Sequence, residues 1–294
     1  MQSSQATRSA AEREGSGSPG GGEEVTSAVG SWEAPAPAGR DDARSPAGGG
    51  EATSVAARED SPAPAGGGEH DADRFRHEVL AVVFRVRDRR LEVLLWHRAL
   101  PPCQDCWALP GGPLGAGERL GASLGRHLAV KVDLTDVGHL EQLETRSDPG
   151  RHPDERVLAT AYLALVATDV SPRIPPDTAW HPVSALPRTA FDHESIIGSA
   201  RERLRTKLSY TNLGFALAPA TFTITELREI YAAALGHPVS ATNLQRILVR
   251  RGVIEATAET VRPAAAGGRP ATLYRFAGQG LRITNPFAAF RPPA

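Results

Sequence analysis

A glycine-rich turn that leads into an amphipathic helix constrains the fold of this chain more than any other feature. The stretch 107–118 reads Trp-Ala-Leu-Pro-Gly-Gly-Pro-Leu-Gly-Ala-Gly-Glu. Leu120, Leu124 and Leu128 follow at four-residue spacing, which places them on one side of a helix that faces a hydrophobic core. The pattern predicts this helix over about residues 120–132.

The same stretch resembles the Nudix box, G-x5-E-x7-R-E-U-x-E-E-x-G-U, in which U is a bulky aliphatic residue. The residues that fall on its frame are Gly112, Glu118, Arg126, Leu128 and Leu134. The other three glutamates and the second glycine are replaced by His127, Val130, Lys131 and Asp133. The resemblance implies a Nudix fold, in which Glu118 and Arg126 brace the loop against the helix.

These replacements remove the groups that would bind a metal ion. Hydrolysis of a nucleoside diphosphate linkage uses a divalent metal to neutralise phosphate charge and to activate water, and Mg²⁺ prefers oxygen ligands. In a Nudix enzyme the carboxylates share one face of the box helix, where this chain offers an imidazole, a valine and an ammonium group. We therefore expect no catalytic residue, no metal and no other cofactor, in a domain that binds a nucleotide without cutting it.

Composition divides the 294-residue chain unevenly. Residues 1–74 are rich in Gly, Ala, Ser, Pro and Glu and carry 6 Lys/Arg against 13 Asp/Glu, so they predict a disordered tail that cannot bury a core. Residues 196–294 carry 13 Lys/Arg against 5 Asp/Glu, an excess typical of a polyanion partner. A merely solvated basic surface is the alternative. Without a signal peptide or a long apolar run, we expect a cytoplasmic protein.

The two cysteines, Cys103 and Cys106, form a single C-x-x-C. A structural zinc site needs four ligands, and no second pair of cysteines exists. A mixed site with His97 and His127, or a redox role, is an alternative. The sequence favours ordinary loop residues in a reducing cytosol.

The first folded unit is expected over residues 75–208, as a Nudix-like ligand-sensing domain. Aliphatic runs predict its strands at 77–86, 91–97, 139–145, 157–166 and 180–183, and a helix opens at Asp192. Strands enclosed by helices suit an α/β (α+β) fold, a Nudix-type α/β/α sandwich with a mixed sheet. The candidate ligand-binding residues are Trp107, Gly111, Gly112, Glu118, Arg126 and Arg151.

The second unit is expected over residues 209–278, followed by a C-terminal tail at 279–294. Thr223 and Glu226 form a capping box that opens one helix, and Ser240 can begin a second helix that Gly252 ends. A hairpin with a Gly-Arg-Pro tip follows, which completes the layout of a winged helix-turn-helix. The candidate DNA-binding residues, chosen because Arg, Asn and Gln recognise base edges, are Thr242, Asn243, Gln245, Arg246, Arg250 and Arg269.

Together the two units resemble the NrtR family of Nudix-related transcriptional regulators of NAD metabolism. The resemblance spans about 75–276 and rests on the order of several short motifs. These include Trp107-Ala-Leu-Pro-Gly-Gly, Leu140-Glu-Gln-Leu, Asp148-Pro-Gly-Arg, Phe191-Asp-His, Phe222-Thr-Ile-Thr-Glu-Leu and Gly268-Arg-Pro-Ala-Thr-Leu-Tyr-Arg-Phe. It implies a homodimeric repressor that binds double-stranded operator DNA and responds to ADP-ribose or a related nucleotide. The lack of a long apolar run, noted above, predicts that the protein does not enter membranes.

Two other functions stay open at the level of sequence. One is a Nudix hydrolase, an ADP-ribose or nucleotide pyrophosphatase, that takes metal ligands from Glu118, Glu141 or Glu144. The other is a protein-binding adaptor in which both domains have lost their ligands.

Overall fold

The computed structural model describes residues 75–135, 137–261, 270–284 and 289–290. The expected N-terminal tail, 1–74, lies outside the described residues. In the part of the chain that is described, the helices are too short or too polar to cross a bilayer.

A mixed seven-stranded sheet forms the centre of the first domain. The strands are β1 (Arg76–Arg87), β2 (Arg90–His97), β3 (Trp107–Ala108), β4 (Gly111–Pro113), β5 (His139–Arg146), β6 (Val157–Leu165) and β7 (Thr178–Pro182). The central strand β1 pairs in parallel with β6, and its other pairings are antiparallel. The strand order is β3-β2-β1-β6-β5, while β4 pairs with β1 and β7 pairs with β2.

Strand β1 shows why the sheet is covered on both faces. Its side chains alternate between two apolar clusters. Val79, Ala81 and Val83 pack with helix α1 (Leu120–Val132). Leu80, Val82 and Phe84 pack with helix α2 (His193–Tyr210). The result is the α/β/α sandwich that the sequence predicts.

Two glycines place β4 in the narrow space between β1 and α1. Gly111 has a φ of 157°, and a Cβ there would lie 2.0 Å from the carbonyl oxygen of Val79. A Cβ on Gly112 would lie 2.6 Å from Cε1 of His127. Both positions therefore need glycine for close approach, which explains the Gly-Gly pair of the box.

A winged helix-turn-helix follows a 3₁₀ turn at Leu213–Ala216. It contains α3 (Ile224–Leu235), α4 (Ala241–Arg250), β8 (Ile254–Val261) and β9 (Ala271–Phe276). The predicted caps are present, because Thr223 and Glu226 form a capping box and Ser240 accepts from the N–H of Asn243.

The two domains share one hydrophobic core. The cluster that begins under the sheet at Leu80 and Phe84 continues through Leu204 of α2 and Tyr231 of α3 to Leu248 of α4. Helix α2 thus packs in the core of both domains and connects the sensor to the helix-turn-helix.

The segment expected as a C-terminal tail packs on the junction between the domains. Asn212 donates its side-chain N–H to the carbonyl of Gly280 and accepts from the N–H of Arg282. Thr284 donates its backbone N–H to Tyr210, and the ring of Phe290 lies 5.5 Å from that of Tyr231. The described part of 279–294 therefore belongs to the fold.

Candidate functional site

Glu118 and Arg126 close the box loop onto helix α1. Arg126 donates from Nε to Oε1 of Glu118 at 2.6 Å and from a terminal nitrogen to Oε2 at 2.7 Å. The N–H of Gly115 also donates to Oε2 at 3.0 Å. These hydrogen bonds lower the pKa of Glu118 to about 2. The pair thus has the bracing geometry that the resemblance implies.

His127 occupies a position where the box has glutamate, and it performs a structural task. Its Nε2 lies 3.0 Å from the carbonyl oxygen of Pro113. Because a carbonyl only accepts, this nitrogen carries the proton. Burial lowers the pKa of His127, so the imidazole is neutral and links α1 to β4. Val130, by contrast, is 77% exposed.

Lys131 and Arg98 converge on the space beside the box helix. The ammonium of Lys131 lies 4.6 Å from the ring centre of Trp96. The guanidinium of Arg98 lies 5.7 Å from the same ring and 5.1 Å from that of Phe191. Burial lowers the pKa of Lys131, and repulsion by Arg98 lowers it further. The carboxylate of Glu78 acts on both cations and offsets part of their charge, but the two desolvated cations outweigh this single carboxylate and favour an anionic ligand. Sequence reasoning missed Arg98, which follows β2 and lies outside the box.

Arg151 lies between two carboxylates rather than free in the pocket. It donates to Glu78 at 2.7 Å and to both oxygens of Asp192, at 2.9 and 3.2 Å. Its side chain is only 2% exposed. Burial by itself would lower the pKa of Arg151, but the two carboxylates raise it. The guanidinium therefore holds the pocket wall together. The sequence predicted Arg151 as a ligand-binding residue, whereas the structure shows its donors bound to Glu78 and Asp192.

A cavity of about 420 Å³ opens next to Arg151. Phe191 and Asp192 line it together with Pro102, Cys103 and Pro153. The ring of His152 stacks on Phe191 at 5.0 Å. Phe191 has a φ of 53°, a left-handed conformation that is costly for a bulky residue. Strain of this kind is common at ligand sites, so the half-buried ring of Phe191, which lines the cavity, is a candidate surface for a planar base.

The two cysteines on the rim of this cavity form a disulfide, Cys103–Cys106. This corrects the expectation of two ordinary free loop residues. Their α-carbons are 5.7 Å apart, within the range that a disulfide spans. Cys106 is fully buried beside Ala108 and Ala190, so the bond ties the loop between β2 and β3 to the domain.

The structure does not gather all six predicted ligand residues around one space. Trp107 packs its ring at 4.3 Å from His181 and 5.3 Å from His97. Gly111 and Gly112 act through β4, as described above, and Glu118 and Arg126 bond to each other. Only Arg151 lines the cavity.

The donor set does not fit the magnesium ion that a Nudix hydrolase uses. Lys131 brings positive charge to the box helix, and the two candidate carboxylates outside it, Glu141 and Glu144, are already ion-paired. Glu141 accepts from Lys207 and His139, and Glu144 from Arg146. Burial would raise the pKa of Glu141, but these hydrogen bonds hold it at about 2. Within the described ranges, no cluster of three His, Cys, Asp or Glu side chains is placed to hold a metal ion.

Helix α4 presents the surface that the sequence predicts for DNA. Leu244, Ile247 and Leu248 are buried against the domain. On the other side Thr242, Arg246 and Arg250 are exposed, and Asn243 is half-buried. Asn243 accepts a hydrogen bond from Arg246 at 2.7 Å. Val249 is 49% exposed on the same side and is a further candidate, because an apolar side chain can contact a thymine methyl group. The sequence prediction, which selected polar and basic residues, did not include it.

The remaining two predicted DNA-binding residues differ from this pattern. Gln245 donates to the hydroxyl of Tyr274 in β9 at 2.7 Å, so its amide joins the helix to the wing. Arg269 lies outside the described residues. Glu255 and Arg275 pair across the two wing strands.

Comparison with known proteins identifies both domains. Residues 75–198 match the model of the NUDIX domain, and residues 214–276 match that of the NrtR DNA-binding winged helix domain. The chain is 34% identical over 211 residues to the ADPR responsive transcriptional repressor NtrR of Acinetobacter baylyi, which covers 69% of this chain and 83% of the relative.

Solved structures agree with this result. Shewanella oneidensis NrtR complexed with a 27mer DNA is 31% identical, with a TM-score of 0.58 over 68% of this chain and 92% of that one. A MutT/nudix family protein from Enterococcus faecalis, 22% identical, has a TM-score of 0.54 over 69% and 87% of the two chains and shows the fold alone. The chain, with its Nudix domain and its winged helix, belongs to the NrtR family of transcriptional regulators.

Proposed function

We propose that this protein is a cytoplasmic, homodimeric transcriptional repressor that binds operator DNA through α4 and the wing, and binds ADP-ribose or a related nucleotide without hydrolysing it. One observation carries the proposal: a sensor domain whose box helix has no acidic side chain shares a continuous hydrophobic core, through α2, with a winged helix whose α4 exposes basic side chains. The Acinetobacter baylyi relative is an ADPR responsive repressor, which supports the choice of ligand. NAD-metabolism genes are the targets that the family suggests.

The cations beside the box helix and the neighbouring ring of Phe191 are placed to hold such a ligand. Lys131 and Arg98 supply positive charge for a pyrophosphate, and charge-assisted bonds of this type are stronger than neutral ones. Phe191 supplies an aromatic wall. Because these groups are cationic rather than acidic, phosphate binds them directly and needs no bridging magnesium ion.

Helix α2 is the route by which ligand binding would reach the DNA. Asp192, its N-cap, is held by Arg151 in the pocket wall. Leu204 farther along the helix lies in the core that α2 shares with α3 and α4. A ligand that moves Arg151 or Asp192 shifts this helix and so produces a second arrangement of the two domains. The ligand alters the affinity for DNA only if it binds these two arrangements with different affinity.

A genomic DNA selection with the purified protein, with and without ADP-ribose, tests the proposal. We expect enrichment of one palindromic site, with the enrichment reduced by the ligand. Enrichment that ignores ADP-ribose would retain the DNA-binding function and reject this effector. No enrichment in either condition would reject the repressor function.

The hydrolase alternative has a separate test. Magnesium-dependent release of AMP from ADP-ribose would establish it. The ion pairs of Glu118, Glu141 and Glu144 argue against it, since each carboxylate would have to leave a cationic partner to bind metal.

A further inference from the structure

A second cavity, of about 510 Å³, lies where the sensor domain meets the helix-turn-helix. The turn between β1 and β2 lines one side, and Arg201 of α2 lines another. Arg228 of α3 and the turn from Gly236 to Pro238 complete it. Since β4 pairs with the opposite end of β1, at 78–80, about 30 Å of strand separates this cavity from the box.

The cavity is strongly cationic. Four arginines line it, with Glu229 as the one carboxylate among the lining residues. Glu229 already accepts from Arg89 at 2.9 Å and from Arg228 at 3.1 Å. Arg90 and Arg201 have no carboxylate within salt-bridge distance in the described ranges. The lining therefore has room for an anion to balance it.

Arg201 is partly buried and lies close to a second arginine. Burial lowers its pKa, and the charge of Arg205 one turn along α2 lowers it further. Gly236, with a φ of 77°, ends α3 directly against this pair, since a Cβ there would lie 2.3 Å from one terminal nitrogen of Arg205 and 3.3 Å from one of Arg201. The fold thus packs two arginines of the sensor helix against the end of a DNA-binding-domain helix.

The β1–β2 turn places an arginine in a strained backbone conformation. Asp88 and Arg89 both have positive φ, at 49° and 62°. Two-residue hairpin turns of this kind favour Asn-Gly or Asp-Gly, so Arg89 occupies a position where glycine would be less strained. Strained residues of this type cluster at ligand-binding and switch sites.

We propose that this junction cavity is a phosphate-binding site, and that an occupied site fixes the helix-turn-helix against the sensor domain. Paired guanidinium groups suit phosphate because their planar donors match its oxygens. The phosphate has two chemical sources: the backbone of bound DNA, or a free phosphorylated small molecule, which the volume accommodates. The site is independent of the box pocket and of the nucleotide proposed for it.

Inorganic pyrophosphate tests the site without DNA. The titration uses the full chain with Lys131→Gln, because Lys131 belongs to the box pocket proposed to hold a pyrophosphate. We expect saturable binding by isothermal titration calorimetry at low ionic strength, with affinity at least tenfold weaker when either Arg90→Gln or Arg201→Gln is added. The two variants lie on different elements, so a folding defect in one leaves the other informative. Arg173→Gln, an exposed arginine outside the cavity, is the matched control and should bind as the Lys131→Gln parent does.

Operator DNA tests the other source. If a backbone phosphate enters the cavity, each variant lowers the slope of log Kd against log salt by about 0.9 for the contact it loses, while Arg173→Gln leaves the slope unchanged. Pyrophosphate binding with an unchanged slope assigns the site to a free phosphorylated molecule. The proposal is overturned if Arg90→Gln and Arg201→Gln match their parent protein in both measurements. If no operator DNA is found, the proposal is accepted or rejected from the pyrophosphate affinities of the variants alone.

Discussion

Nε2 of His127 donates a hydrogen bond of 3.0 Å to the carbonyl oxygen of Pro113. His127 stands where the Nudix box has a glutamate, and in this protein it connects the box helix to β4. The ring also fills the space over Gly112. Restoring glutamate at 127 should therefore damage the fold before it improves metal binding.

His127→Glu is expected to lower the free energy of unfolding by about 1–3 kcal/mol, because it removes the shortest hydrogen bond to the Pro113 carbonyl and buries a carboxylate beside that oxygen. Only the longer contacts from Ser123 and Arg126, at 3.4 and 3.5 Å, would remain. Urea unfolding measures this. His127→Gln keeps an N–H donor and should cost less than His127→Glu. Equal stability of the glutamate variant and wild type would show that the hydrogen bond contributes nothing.

Arg250→Ala should weaken operator binding by about tenfold to hundredfold, the range for loss of one bidentate base contact. Arg250 is exposed at the end of α4, so the substitution leaves the core intact. Val130→Ala, on the exposed side of the box helix, should bind as wild type does. A normal gel shift from the arginine variant would remove α4 as the recognition helix.

Lys131→Gln is expected to weaken ADP-ribose binding about tenfold or more, since a charge-assisted hydrogen bond contributes about 1.5–3 kcal/mol. Its neighbour on the same helix serves as the control, because Val130→Gln adds an amide on the exposed side without removing a cation. Calorimetric titration of both variants compares them. Equal losses would mean that the helix, rather than the ammonium group, sets the affinity.

Removal of divalent metal should leave ADP-ribose affinity unchanged. The groups beside the box helix are cations, which bind phosphate without a metal bridge. Titrations in excess EDTA and in millimolar magnesium chloride make the comparison. A strong gain in affinity with magnesium would contradict direct binding by Lys131 and Arg98.

Acid should destabilise the protein through His193. Its Nδ1 accepts from the N–H of Leu109 at 3.0 Å, and burial lowers its pKa from 6.5 to about 3. The unfolded chain therefore takes up this proton first as the pH falls, and the stabilisation present above pH 6.5 is progressively lost toward pH 3. Between pH 7 and pH 5 the loss is about 2 kcal/mol.

Urea unfolding of His193→Gln at the same two pH values isolates this contribution. The amide oxygen of glutamine can accept the Leu109 N–H, but it does not titrate, so the variant should lose less stability than wild type on acidification. Glu118 and Glu141, with pKa values of about 2, stay ionised throughout this window. Parallel losses in the two proteins would exclude His193 as the cause.

Helices that are marked by their own residue spacing or capping residues could be predicted from the sequence. The box helix follows from leucine spacing, and α4 from the Ser240 cap and from Gly252, which has a left-handed φ of 61°. The short strands β3 and β4 could not be predicted, because their pairing depends on β2 and β1 rather than on their own two or three residues.

The parts of the site that escaped prediction depend on distant partners. Arg151 is held by Glu78, 73 positions away, and no local pattern reports such a contact. Phe191 belongs to a motif quoted for the family, but its left-handed backbone and its place over the cavity follow only from the folded loop. Arg98 becomes a candidate ligand residue only when Lys131 and Phe191 are brought beside it.

The core that runs from Leu80 to Leu248 through α2 has a consequence for protein engineering. A helix-turn-helix cut from this chain after Tyr210 would expose the apolar face it buries on α2, and the remaining sensor would expose the matching surface. Chimaeras that exchange DNA specificity between relatives should therefore transfer α2 along with the winged helix, or graft only the solvent-facing residues of α4.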